Sequence, residues 1–302
     1  EKLIIEQELR MYEDSPDHRL YKNLMGVLYT THPVRLDIGG EVSDIQKIDR
    51  DLLEACYRMF YNPSNMVLVM SGDIDPAQAF EVAEKALPPE RFRPQGPIER
   101  HAPREPAGVR ERVVRAEVAV SRPRVLIGFK DLETGPAVKA LEREVVSSVV
   151  LDLLFGRSSE FFTRHYESGL IDDSFSFSYN AEDAFGFSLI GGETDDPERL
   201  AEEVLLELHK AKKGKIRAAD LERSRRKRLG KFIRSFDTPD GAAFLIMGCA
   251  QRGIDLFEVP KVISKLSATR LQARLREHFD ERNYAVSILN PRKGATPVSE
   301  EE

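Results

Sequence analysis

Residues 44–73 align without a gap to residues 262–291, and this self-similarity constrains the fold more than any other feature of the chain. Identities fall at Ile45/Ile263, Lys47/Lys265, Leu53/Leu271, Ala55/Ala273, Arg58/Arg276 and Asn65/Asn283. Both stretches read as an amphipathic helix, a polar break and an apolar strand. In the first, Ile45, Ile48, Leu52, Cys56 and Met59 recur at helical spacing through Tyr61. Asn62-Pro63-Ser64-Asn65 then breaks the chain, and Met66–Met70 is apolar enough for a strand buried on both faces. Just upstream, Asp14-Ser15-Pro16-Asp17 mirrors Asp237-Thr238-Pro239-Asp240 at a different offset. A chance likeness between two common helix–strand units is the competing explanation. The shared order of elements favours duplication, with the end of one domain followed by a complete second copy. The expected class is α+β: two homologous domains, each a sheet with helices packed on it, the first incomplete.

The rest of the chain supports that division. Residues 1–30 read mostly as helix, interrupted where Ser15 can cap a new segment and Pro16 suits its first turn. A further helix starts near Pro76 and stops before Pro88-Pro89. The region after it is rich in proline and arginine and poor in large apolar groups, which is the composition of an extended linker. The division is therefore 1–87 as the C-terminal part of the first domain, 88–110 as linker, 111–292 as the second domain and 293–302 as an acidic tail. In the second domain, strands are predicted around 111–120 and 124–130, then a helix over 137–154 and a short one capped by Ser158. Phe175, Phe177 and Tyr179, then Phe185, Phe187 and Leu189, alternate as a hairpin would. Pro197 opens a helix that ends at Gly214, helices fill most of 217–279, and Ala285–Asn290 closes as a strand.

Composition excludes several classes. With a net charge of -6 over 302 residues there is no global field for nucleic acid. No apolar run approaches the roughly 18 residues of a membrane span, and no signal peptide opens the chain, so no membrane partner is expected. Cys56 and Cys249 lie far apart inside helical patterns and read as buried free thiols, suited to a reducing, cytoplasmic setting. The chain opens without methionine and inside a helix, the expected mark of a fragment whose natural start lies upstream.

That opening helix carries the only suggestive chemistry. Glu1, Ile5, Glu8 and Tyr12 share one face, with the two glutamates about 10 Å apart. On a buried face such carboxylates would need a partner such as a metal ion. On a solvated face they would be ordinary helix formers, and spacing alone leaves both readings open.

The stretch from Glu1 to Asp14 resembles the downstream zinc-site helix of the pitrilysin/insulinase family, the M16 zinc metallopeptidases, in its bacterial processing-protease-like branch. Thr31-His32-Pro33-Val34, the run Phe60-Tyr61-Asn62-Pro63-Ser64-Asn65-Met66, Phe155-Gly156-Arg157-Ser158-Ser159 and Gly169-Leu170 are also similar to that family, so the resemblance covers nearly the whole chain. It implies a zinc-dependent endopeptidase acting on peptides or unfolded segments, whose halves enclose a chamber, working as a homo- or heterodimer. In the family an inverted His-x-x-Glu-His motif supplies two ligands and the glutamate that activates water, and a later glutamate completes the zinc site. Glu8 matches that third metal ligand, and Glu1 matches a supporting acid.

The chain departs from the family in two places. No His-x-x-Glu-His occurs, and the six histidines have no zinc-ligand spacing, so this stretch should be inactive alone. The family's substrate-contacting arginine and tyrosine fall on His165 and Asp172, with Arg164 or Tyr166 as neighbouring substitutes. The second departure, His165 and Asp172, supports the alternative of a non-catalytic binding or assembly subunit, and an intact or degenerate His-x-x-Glu-His upstream would discriminate the two. In the second copy Lys231 stands opposite Glu8, so no metal is expected there. The basic run Arg223–Arg228 reads as a solvated helix face, and Gly191-Gly192 lacks the spacing of a phosphate loop.

Overall fold

A computed structural model describes residues 1–87, 95–96, 98–99, 103–133, 135–182 and 184–292. Much of the expected linker, and the acidic tail, lie outside the described residues. The chain begins with α1 (Lys2–Asp14) and α2 (Pro16–Leu28), and Ser15 caps α2 by accepting a hydrogen bond from the His18 amide. The single helix expected over 44–61 is split into α3 (Val42–Lys47) and α4 (Arg50–Phe60), because the Asp49 carboxylate accepts the Leu52 amide and caps a fresh start at Arg50. A helix α5 (Pro76–Ala86) follows.

Five strands then build one mixed sheet: β1 (Val113–Val118), β2 (Arg124–Lys130), β3 (Ser176–Ala181), β4 (Gly186–Glu193) and β5 (Tyr284–Pro291). Their order is β1-β5-β2-β4-β3, with β1 parallel to β5 and the other pairs antiparallel. The expected hairpin is β3–β4. Between and after the strands come α6 (Ala137–Phe155), α7 (Glu160–Glu167), α8 (Pro197–Lys213), α9 (Ala218–Arg234), α10 (Pro239–Gln251), α11 (Glu258–Ser264) and α12 (Ala268–His278). Ser159, not Ser158, caps α7, since its hydroxyl is the one that receives the Phe162 amide. The α+β class and the sheet-plus-helices architecture read from the sequence are those of the structure.

The period-two alternation of the strands decides which helix covers which face. Leu126 of β2, Leu189 of β4 and Leu289 of β5 pack with α2 residues such as Leu20, Leu24 and Leu28. Phe129 turns the other way, with its ring 5.1 Å from that of Phe279 at the end of α12. So α2 covers one face, while α6, α8 and α12 pack together on the other. Gly191 explains the paired glycines of β4: a Cβ there would lie 2.0 Å from the Val125 carbonyl oxygen, and only glycine lets β4 approach β2 so closely.

A buried polar network ties the helical side to the strands. Asp131 accepts hydrogen bonds from the Arg274 guanidinium and the Tyr179 hydroxyl, and Arg274 Nε donates to Ser147 Oγ at 2.8 Å. Burial alone would raise the Asp131 pKa; the Arg274 charge and the hydrogen bonds from Arg274 and Tyr179 outweigh it and hold it at about 2. His278, wholly buried beside Arg274, is pushed down to about 3 and stays neutral, with Nε2 2.9 Å from Ser188 Oγ.

On the other side, Glu105 gathers the amides of Thr30, Thr31 and His32, each at 2.8 Å, and the Lys130 ammonium at 2.9 Å. Lys130 is only 1% exposed and also donates to the carbonyls of Pro106 and Gly108.

The chain forms two compact units made of non-contiguous segments: Glu1–Ile45 with Ala102–Arg225 and Lys265–Glu302, and Gln46–His101 with Arg226–Ser264. The first holds the sheet and nearly all the buried apolar side chains. In the second, Met66–Met70 forms no regular element, pairs with no strand among the described residues and is mostly exposed, so the expected buried strand is not formed. Strand backbone is satisfied only by a neighbouring strand, and none lies beside it here.

The internal repeat is visible in the element boundaries. The offset relating 44–73 to 262–291 carries Arg50–Phe60 onto Ala268–His278 and the cap Asp49 onto the cap Ser267. The offset of the two Asp-x-Pro-Asp segments carries Pro16–Leu28 onto Pro239–Gln251, and Thr238 caps α10 through the Gly241 amide as Ser15 caps α2.

Candidate functional site

On α1 the structure leaves the two glutamates in solvent. Glu1 occupies the N-cap position without a side-chain capping bond. Glu8 accepts a hydrogen bond from the Tyr12 hydroxyl at 3.1 Å, and Tyr12 packs on His18, whose Nε2 lies 2.5 Å from Asp37 Oδ2. Of the two readings of this face the solvated one is found: Ile5 and Tyr12 are exposed, and Leu9 is the helix's one buried residue. Solvation therefore accounts for the carboxylates at no desolvation cost.

The other predicted residues cluster around α7. His165 is buried against Phe161, ring centroids 4.4 Å apart, with Nε2 3.5 Å from Glu203 Oε2 and 3.2 Å from Arg164 Nη2. Burial lowers its pKa and the Arg164 charge lowers it further, against the opposing pull of Glu203. Its imidazole is a neutral packing group in this setting. Arg164 reaches towards Glu203 and Glu207, at 4.0 and 3.9 Å. Asp172 receives Arg122 Nη1 at 2.6 Å and the Ser174 hydroxyl at 2.5 Å. Burial raises the pKa of Asp172, but Ser174 and Arg122 overcome it and keep the carboxylate below its usual range. The α7 residues and Asp172 share one helix-to-strand junction, each held by its own partners. No hydrogen bond or ion pair among the described residues links them to Glu1 or Glu8.

Sequence reasoning missed the groups that hold these side chains. Glu203 and Arg122 come from distant elements, and nothing in their local sequence marks them. The Asp131–Arg274–Tyr179 network likewise draws single residues from the end of β2, from α12 and from β3.

A catalytic zinc would need at least three protein ligands. No group of three or more His, Cys, Asp or Glu side chains is placed to hold a metal among the described residues. Glu8 could serve as one carboxylate ligand, but these residues do not make a zinc site by themselves.

The comparisons with known proteins fit this geometry. Residues 47–228 match the family model described as the peptidase M16 inactive domain. The chain is 34% identical over 293 residues to the uncharacterized zinc protease YmfH of Bacillus subtilis, covering 97% of this chain and 68% of that protein. It is 27% identical to the zinc protease PqqE of Helicobacter pylori, covering 96% of this chain and 66% of that one. The crystal structure of an M16-like peptidase from Alicyclobacillus acidocaldarius superposes with a TM-score of 0.90 at 32% identity, over 96% of this chain and 70% of that one. Fold, sequence and the matched model together define the class, an M16 peptidase-type α+β protein. The chain belongs to the peptidase M16 family, and it spans about two thirds of the length of the relatives it matches.

Proposed function

We propose that these 302 residues form part of a zinc-dependent M16 endopeptidase of the processing type that acts on peptides or unfolded segments. Residues 1–87 would be the end of the metal-binding copy, and 111–292 the opposing, non-metal copy. The observation that supports the reading is Glu8, exposed and free of any ion pair among the described residues, on a helix that resembles the one carrying the family's third ligand. When bound, zinc would supply the Lewis acid for peptide hydrolysis. Within this chain Glu8 would donate to the metal, and Glu1 would orient the ligands around it. The histidine pair would come from sequence outside these residues. A family partner chain completes the proposal as a homo- or heterodimer, and the two free cysteines suit a reducing, cytoplasmic setting.

The experiment uses the complete polypeptide that carries this sequence, assayed for bound zinc and for cleavage of a fluorogenic peptide. Cleavage should fall at least about a hundredfold in Glu8→Gln, with zinc content reduced, as loss of a ligand implies. Unchanged zinc and cleavage in that variant would refute the assignment.

A second reading has its own support. His165 is buried and neutral and Asp172 is consumed by Arg122, so neither offers a donor to a substrate carbonyl. That favours a non-catalytic binding or assembly subunit. Full-length protein that holds no zinc yet forms a stable complex with an active family member would decide for it.

A further inference from the structure

A cavity of about 420 Å³ opens between α6, α7, α8, the start of α9 and α12, away from every residue assigned above except the neighbouring turn of α7. Its floor is apolar: Val150, Leu153 and Leu154 from α6, Phe161 from α7, Ile216 and Leu275. A volume of that size with a hydrophobic floor and a few polar groups at its mouth is typical of a small-ligand site.

The charges around the mouth do not balance. Arg217 and Arg223 are both answered by Asp220, at 2.6 and 3.0 Å. Glu207 is shared with Arg164, which lies outside the lining. Lys210 and Lys215 also line the cavity and have no ion-pair partner among the described residues, and the remaining lining acid, Glu160, acts on the Arg217 charge. The site therefore offers an apolar recess with surplus positive charge at its edge. It also offers acceptors in the Glu160 carboxylate and the Ser158 hydroxyl, which could receive amide N–H groups.

We propose that this cavity binds the carboxyl end of a peptide, with an apolar final side chain in the recess and its terminal carboxylate between Lys210 and Lys215. The occupant is a peptide and not a fatty acid because an alkyl chain has no N–H to give to Glu160 or Ser158. This assignment rests on the peptide-directed function proposed above, but its test needs neither metal nor catalysis.

The 302-residue chain would be titrated against a fluorescein-labelled decapeptide ending in Leu-Phe with a free carboxylate, followed by fluorescence anisotropy. Saturable binding is expected, weakened roughly tenfold when the peptide is C-terminally amidated, the loss that one charge-assisted contact supplies. The double variant Lys210→Glu/Lys215→Glu should weaken the acid form at least as much and leave the amide form nearly unchanged. Ala211→Phe, on the cavity wall, should block both, with circular dichroism reporting that each variant is folded. Equal affinity for acid and amide, or wild-type binding by folded Ala211→Phe, would overturn the proposal. So would displacement of the peptide by dodecanoate at lower concentration than by the unlabelled peptide, which would assign the site to a lipid carboxylate. Peptide binding by this chain with no cleavage by the complete polypeptide would remove the peptidase reading and leave the pocket standing. Cleavage without this binding would do the reverse.

Discussion

Leu53 and Leu271 are the same residue at the same position of the same repeated helix, yet Leu271 is 0% exposed and Leu53 is 61% exposed. Their helices have equal length, matching caps and similar C-terminal geometry, with Tyr61 at φ -92° and Phe279 at φ -88°. The same contrast separates α2, which buries Leu20, Leu24, Met25, Val27 and Leu28, from α10, which buries none of its side chains. Local sequence sets the helix and its cap in both copies. What differs is the sheet: α2 and α12 have one to pack on, and α4 and α10 have none among the described residues. Amphipathic pattern thus specifies an element and the face it will bury, while burial itself depends on a partner that the pattern does not contain.

Paired substitutions test that contrast, each measured by urea unfolding followed by circular dichroism. The largest effect is expected at Arg274, whose counterpart in the first copy is Cys56. Arg274→Met leaves the Asp131 carboxylate buried without its main cation and should cost about 3–5 kcal/mol, whereas Cys56→Ser should change stability by less than about 0.5 kcal/mol. Next, Leu271→Ala should cost about 2–5 kcal/mol and Leu53→Ala under about 0.5 kcal/mol. If Leu53→Ala proved equally costly, α4 would have to be covered in solution, and the comparison would break.

Acid should expose the same asymmetry. The buried neutral His278, at about 3, takes up a proton in the unfolded chain long before it does so in the folded one. Stability contributed by that site is present above its unfolded value near 6.5 and is lost as pH falls towards 3. Asp131, depressed to about 2, adds a further loss as pH drops below its unfolded value of 3.8. Stability of the sheet-bearing unit should therefore fall steadily from about pH 6.5 downward, and His278→Gln should flatten the upper part of that slope. A slope unaltered in the variant would count against a neutral His278. The smallest effect is expected at the caps, where Asp49→Ala and Ser267→Ala should each cost about 1 kcal/mol, alike in the two copies.

The legible part of this protein was whatever local sequence controls. The cap at Ser15, the helix opening at Pro197, the strand alternation of Phe185, Phe187 and Leu189, and the boundaries of the repeat could all be read from neighbouring residues. Met66–Met70 had the composition of a strand, but strand formation is a property of two segments, and the second one is not beside it. The site divided in the same way. Spacing put Glu1 and Glu8 on one helix face, and only the family resemblance attached a metal to them. The state of His165 was not, because it is set by Phe161, Arg164 and a glutamate nearly forty residues away. Likewise, the cysteines read as buried thiols form no disulfide, but Cys56 is exposed and Cys249 half-buried, since their helices lie on the open side of the contrast.

The Glu105 contacts have a consequence for where the sheet-bearing half may be cut. Composition places Glu105 in a passive connector, yet its carboxylate, with the Pro106 and Gly108 carbonyls, provides the three oxygens that receive the Lys130 ammonium. A recombinant version begun at residue 111, where the first strand region opens, would delete all three of those oxygens and α2 as well, leaving the Lys130 ammonium without acceptors and the α2 face of the sheet bare. The smallest autonomous piece must start upstream of Glu105 and must bring α2 with it.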